Sequence, residues 1–236
     1  MPIRSRLLLP GLALGLSVTA QATDECATAV QCNQVGSAAY QAGRYEQAIE
    51  AFERQLRRVE DGDTAQLELA LNNLILTHLR AGDAGMARAW LGVALANNLS
   101  GSSTRLHLAK VAEALDYQAL AASPAGRYLR YGGQAVWSEL LITPDPQGGY
   151  RASFLPLRAS ARIEEYGPAA LGELDGRLRG DGTAMTLEDA QLGKDCAVQL
   201  LREGIELHVL EVFADGCQDY GGMGISVSGR YIKVSR

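Results

Sequence analysis

Residues 42–48 read AGRYEQA and residues 81–87 read AGDAGMA. In both, an Ala-Gly pair stands just ahead of an alanine at the same spacing, and the two segments are offset by 39 residues. Glycine ends a helix because it accepts the left-handed conformation, so each segment predicts a corner between two helices. Working outward, Tyr45, Ala48, Ile49, Phe52, Leu56 and Val59 fall on one helical face, with Glu46, Glu50, Glu53, Arg54 and Arg57 around the rest. The same spacing predicts helices over 64–80 and 84–97, a shorter one over 32–41, and a last one from Ser102 or Ser103 as N-cap to about 121. A repeat of helical pairs stacks because one pair alone cannot bury its apolar face.

The chain has 236 residues and a formal net charge of −5; 47% of the residues are apolar and 6% aromatic. That apolar share excludes a disordered chain, and the acidic balance argues against a nucleic-acid partner, whose phosphates call for Lys and Arg. Sixteen of the 26 glycines lie in residues 132–236. The chain therefore changes from long Ala- and Leu-rich helices to short segments broken by turns. The organisation expected is a leader over 1–22, a helical domain over 23–123, a linker over 124–133 and an antiparallel β domain over 134–236.

At the helical residues the chain resembles the tetratricopeptide repeat family. Gly36, Ala48 and Phe52 stand at the spacing of that family's Gly, Ala and Phe signature, and Gly43 and Tyr45 match its turn and second-helix start. Cys32, Ala39, Gln55 and Glu60 depart from its preferred types, and the period exceeds its 34 residues, with room for the excess in Glu60-Asp61-Gly62-Asp63. The resemblance implies an interaction module in which the first helix of each pair lines a concave face holding a protein or peptide partner. Mapped here, Asn33, Tyr40, Asn72 and Arg80 project into that groove; Asn33 and Asn72 are 39 residues apart and hence equivalent. An asparagine amide offers a peptide backbone both donors and an acceptor.

The second half predicts strands over 135–142, 150–157, 170–178, 183–187, 197–201, 206–212, 224–227 and 230–234, joined by turns such as Gly180-Asp181-Gly182 and Arg202-Glu203-Gly204. Short connections favour antiparallel neighbours, so the expected fold class is α plus β: a helical array followed by a β-meander or a small up-and-down barrel. The stretch from Cys196 to Val234 resembles small cysteine-tied β domains of exported bacterial proteins, including some lysozyme inhibitors. Their membrane-bound class carries an S-G-x-x-Y element; here Ser228-Gly229 is followed by Tyr231, one residue early.

Residues 1–22 carry Arg4 and Arg6, an apolar run over 7–20 and the small-x-small site Ala20-Gln21-Ala22, the three parts of a secretory signal. Cleavage there removes two arginines and no acid, taking the net charge from −5 to −7. No later run is long enough to predict an integral membrane segment. Four cysteines, Cys26, Cys32, Cys196 and Cys217, allow three pairings. Cys26 with Cys32 and Cys196 with Cys217 is the economical choice, because each pair stays within one domain. The spacing suits neither a zinc site nor a redox C-x-x-C.

No nucleotide loop, serine-hydrolase elbow or zinc-protease motif occurs. Gly221-Gly222-Met223-Gly224 fits a bulge and Asp61-Gly62-Asp63 a solvated turn. His78, His107 and His208 stand apart from any catalytic pattern, and Glu164-Glu165 are adjacent carboxylates of no particular geometry. The expectation is an exported, periplasmic or secreted, non-catalytic binding or scaffolding protein of the bacterial envelope, without metal or cofactor. The alternative is an inhibitor of a wall-degrading enzyme of the lysozyme type, acting through the β domain.

Overall fold

The computed structural model describes residues 26–188, 192, 196–213 and 220–236; the leader expected over 1–22 lies outside them. The helical array runs α1 (Ala29–Gln41), α2 (Tyr45–Arg57), α3 (Thr64–Arg80), α4 (Ala84–Ala96), α5 (Ser102–Ala114) and α6 (Tyr117–Ala121). Helix α1 starts ahead of the expected Cys32. Thr28 and Gln31 cap it reciprocally: the Thr28 hydroxyl accepts from the Gln31 amide and the Gln31 side chain accepts from the Thr28 amide, both at 3.2 Å. A disulfide joins Cys26 to Cys32 across this start. Asp63 and Asp83 cap α3 and α4 by accepting from Gln66 and Met86 amides at 3.0 Å. The single helix expected to 121 divides at Leu115, which turns extended, because Asp116 caps a new helix by accepting from the Ala119 amide.

The two corners match bond for bond. Gly43 and Gly82 have φ of 71° and 80°, a region glycine enters without penalty. Arg44 donates its amide to the Ala39 carbonyl at 3.0 Å, and Asp83 donates to His78 at 2.9 Å. Inside the first pair Phe52 is buried, and a Cβ on Gly36 would stand 2.5 Å from its ring. The glycine thus makes the space that the phenylalanine fills. Together with Leu71, Leu74, Ile75 and Trp90 these residues form the helical core.

Eight antiparallel strands close a barrel in the ring order β1 (Gly126–Tyr131), β10 (Gly229–Ser235), β9 (Glu206–Phe213), β8 (Cys196–Glu203), β7 (Ala184–Glu188), β6 (Leu174–Gly180), β3 (Tyr150–Leu155) and β2 (Trp137–Pro144). Between β3 and β6 the chain makes an excursion through β4 (Leu157–Arg158), a four-residue α7 (Ile163–Tyr166) and β5 (Ala170–Leu171). Closure leaves the ring no free edge, and its interior is filled by Tyr128, Leu140, Phe154, Leu174, Leu200, Val209 and Tyr231.

The structure corrects three strand-level expectations. The stretch 124–133 is not a linker but supplies β1. Tyr128 points into the barrel while Leu129 packs against Ala89 and Val234 outside it, so β1 is buried on both faces and lacks the alternation that marks a half-exposed strand. Residues 224–227 form no strand. The Glu211 carboxylate takes the amides of Val227 (2.5 Å) and Ser228 (3.1 Å) and the Tyr220 hydroxyl (2.6 Å), replacing ladder partners. The expected 170–178 strand splits at Gly172, whose backbone pairs with Gly221 and where a Cβ would meet the Tyr220 carbonyl at 2.8 Å. Cys196 is disulfide-bonded; its expected partner, Cys217, lies outside the described residues.

The barrel meets the array on the second-helix side. Gly85, Ala89 and Gly92 make a flat stripe on α4, and Cβ atoms at Gly85 and Gly92 would run into the Val234 carbonyl and the Ile232 side chain of β10. Trp90 packs edge-on against Trp137 and Tyr131, with ring centres 4.9 and 5.8 Å away. Arg88 and Arg230 both hold the Glu206 carboxylate. At the barrel end beneath α6, the buried Lys233 ammonium donates to the Leu120 and Ser123 carbonyls (2.9 and 2.6 Å), and Arg202 donates to Ala121 (2.7 Å). These cations face the carbonyl end of a helix, where the dipole favours them. Burial, with Arg202 nearby, pulls Lys233 down to about 8.

Candidate functional site

With the barrel seated on the second helices, the face shared by α1, α3 and α5 stays open. All four residues expected there lie on it, and all four bond between helices. Asn33 accepts from Asn73 of α3 at 2.7 Å. Asn72, 93% buried, reaches Thr104 and His107 of α5. The two equivalent asparagines each tie one first helix to the next, Asn33 through its carbonyl oxygen and Asn72 through both ends of its amide. Tyr40 accepts from the Arg80 guanidinium at 3.2 Å, a third such tie, while Arg80 remains exposed. Sequence reading missed Asn73, which lies one residue past the repeat position and whose amide also reaches Gln55 at 3.3 Å.

The open part of this face is a cleft of about 430 Å³ between α3 and α5. Leu69 and Leu76 of α3 line it, together with Glu68, Asn72, Ser103 and His107; Leu69 is 39% exposed. A chain of hydrogen bonds forms the floor, and its directions follow from the donor inventory. Glu68 Oε1 can only accept, and takes the Gly101 amide at 2.8 Å and the Thr104 hydroxyl at 2.6 Å. Thr104 has then used its proton, so it accepts from Asn72 Nδ2 at 3.2 Å. Asn72 Oδ1 is left to accept from His107 Nδ1 at 2.9 Å. His107 therefore carries its proton on Nδ1, which leaves Nε2 unprotonated. Burial, reinforced by Lys110, lowers its pKa and keeps it neutral.

Every arrow in this chain points to Glu68. What remains at its two ends are acceptors, His107 Nε2 and Glu68 Oε2, for which no hydrogen bond is found among the described residues. Ser103 stands one turn before His107 on α5, yet its hydroxyl makes no hydrogen bond to the imidazole, as an activated nucleophile would.

A larger cleft, about 640 Å³, lies between α2 and the α7 excursion and is lined by Arg54, Arg57, Arg58 and Glu164. Its charges are matched internally. Glu164 holds Arg58 at 2.8 Å and Arg57 at 3.2 Å, Glu53 holds Arg57 at 3.5 Å, and Glu50 holds Arg54 at 3.7 Å. Arg57 also donates to the Gln134 carbonyl at 3.1 Å, in a loop where Gln134 and Ala135 both adopt positive φ (50° and 56°). Hydrogen bonding from Arg58 holds Glu164 below the usual carboxylate range. Burial pushes Glu53 up to about 7 against the pull of Arg57. This arrangement latches the array to the barrel.

Of the other histidines, His78 is buried in the array and lowered in pKa by that burial, and His208 is exposed on β9. Among the described residues no three His, Cys, Asp or Glu side chains gather as metal ligands would, and no helix is long and apolar enough to cross a membrane. Compared with known proteins, the chain matches no family model, no curated protein and no solved structure.

Proposed function

We propose that the protein is an exported, non-catalytic binding protein that holds an extended segment of a partner protein across the α1, α3 and α5 face, with the barrel as its rigid mount. The observation that carries this reading is the division of labour between the two faces: the barrel covers the second helices, while the first-helix face keeps exposed Leu69 and a cleft ending in unpaired acceptors. The matching corners at 42–48 and 81–87 support the tetratricopeptide-like reading of the array. The Cys26–Cys32 disulfide supports an oxidising compartment, in keeping with the leader expected over 1–22 and a bacterial envelope location.

The inhibitor alternative draws no support from the Ser228-Gly229-x-Tyr231 neighbourhood. The Tyr231 ring is fully buried inside the barrel, and Ser228 is bonded to Glu211, so the element is not displayed. Site-specific photocrosslinking tests the main reading. A benzoylphenylalanine at position 69 in the full chain, expressed with its leader, is expected to capture a partner in envelope extracts; the same group at Leu210, on the barrel exterior, is not. Capture only from position 210, or slowed lysis of cell walls by lysozyme in a turbidity assay, would transfer the function to the β domain.

A further inference from the structure

We propose that the α3–α5 cleft selects a basic side chain, lysine or arginine, from the segment it binds; this rests on the groove reading above and names the chemistry of its central pocket. Three features point there. Glu68 is the one carboxylate lining the cleft among the described residues. The hydrogen-bond chain delivers every internal proton toward Glu68, so the atoms left over at its two ends, Glu68 Oε2 and His107 Nε2, are acceptors, beside the Ser102 and Ser103 side chains that also line the cleft. An ammonium or guanidinium brings donors and no acceptor and so fits such an end group. Leu69 and Leu76 supply apolar walls of the kind along which a Lys or Arg stem lies while its charged head reaches a polar end. An anionic side chain would meet the Glu68 carboxylate, which lies on the Gly101 amide at the start of α5. The acidic chain as a whole favours a cationic partner in the same sense.

The test uses the full chain and nonapeptide mixtures in which the central residue is fixed as Lys, Arg, norleucine or Glu and the other positions are randomised, read by fluorescence anisotropy. Lys and Arg mixtures are expected to bind about tenfold more tightly than norleucine, which is about 1.4 kcal/mol. Glu68→Gln keeps an acceptor oxygen for Gly101 and Thr104 and should erase that ratio with an unchanged unfolding midpoint. The ratio is measured on the unaltered chain, so it stands even if a variant misfolds. Equal binding of Lys and norleucine, still abolished by Leu69→Asp, would overturn this inference and leave the groove reading intact. Preference for the Glu mixture would overturn it in favour of an anion site. Binding by none of the mixtures would remove both readings.

Discussion

The helical array has two faces built from the same repeat, and they have opposite chemistry. On the second-helix face, α4 presents glycines to β10 and α2 presents arginines to α7, and each guanidinium there meets a carboxylate or carbonyl. On the first-helix face the helices are tied to one another by asparagines, and the ties stop at two acceptors and a pair of leucines. The larger and more highly charged concavity, about 640 Å³ against 430 Å³, is the closed one. Size and charge count therefore rank the two clefts one way, and the share of polar groups left unanswered within the chain ranks them the other way.

The largest expected break of this contrast is Gly85→Val. Its branched side chain cannot coexist with the Val234 carbonyl, so the covered face must part, costing about 3 kcal/mol in urea unfolding; a loss under 1 kcal/mol would mean that the barrel does not sit tightly on α4. Next, Asn72→Leu leaves the Thr104 and His107 polar atoms on the open face without their shared partner. It should cost about 2 kcal/mol, and capture through position 69 should fall with it.

A comparable effect on the covered face is read by pH. Between 4.5 and about 7 the folded chain keeps a proton on Glu53 that the unfolded chain releases. Stability is therefore fullest at the acid end of that window and falls as pH rises through it, by up to about 2 kcal/mol. Glu53→Gln should flatten the slope between pH 5 and 7.5; an unchanged slope would place its origin elsewhere. Glu164→Ala comes last. Its carboxylate is 39% exposed, which weakens the ion pairs, so a loss of about 1 kcal/mol is expected, with partner capture through position 69 unaltered. Lost capture would make the arginine cleft part of the binding surface.

Much of this architecture was legible in the residues because local chemistry repeats. Gly43 and Gly82 marked the corners, Phe52 beside Gly36 marked the packing of a pair, and turn-separated alternation marked an antiparallel meander. What escaped was set by neighbours. β1 is buried on both sides, so Tyr128 and Leu129 break the alternation that betrays a strand. The amides after Gly224 are satisfied by a carboxylate on β9, which no local pattern announces. The candidate face was legible for a similar reason. The tetratricopeptide resemblance put Asn33, Tyr40, Asn72 and Arg80 on the first-helix face, but a repeat pattern cannot tell a side chain that meets a ligand from one that meets the next helix. That distinction needed Thr104 and His107, residues of α5 that carry no repeat signature. His107 had looked unremarkable because its partner lies 35 positions away.

Strand β10 has two jobs. It joins β1 to β9 to complete the ring, and its outward residues Ile232 and Val234 are the seat of α4. Both jobs fall to residues 229–235, which follow every other strand in the chain. Ring closure and the seating of α4 thus hang on one strand, so the edges of β1 and β9 and the glycine stripe of α4 are covered together or not at all.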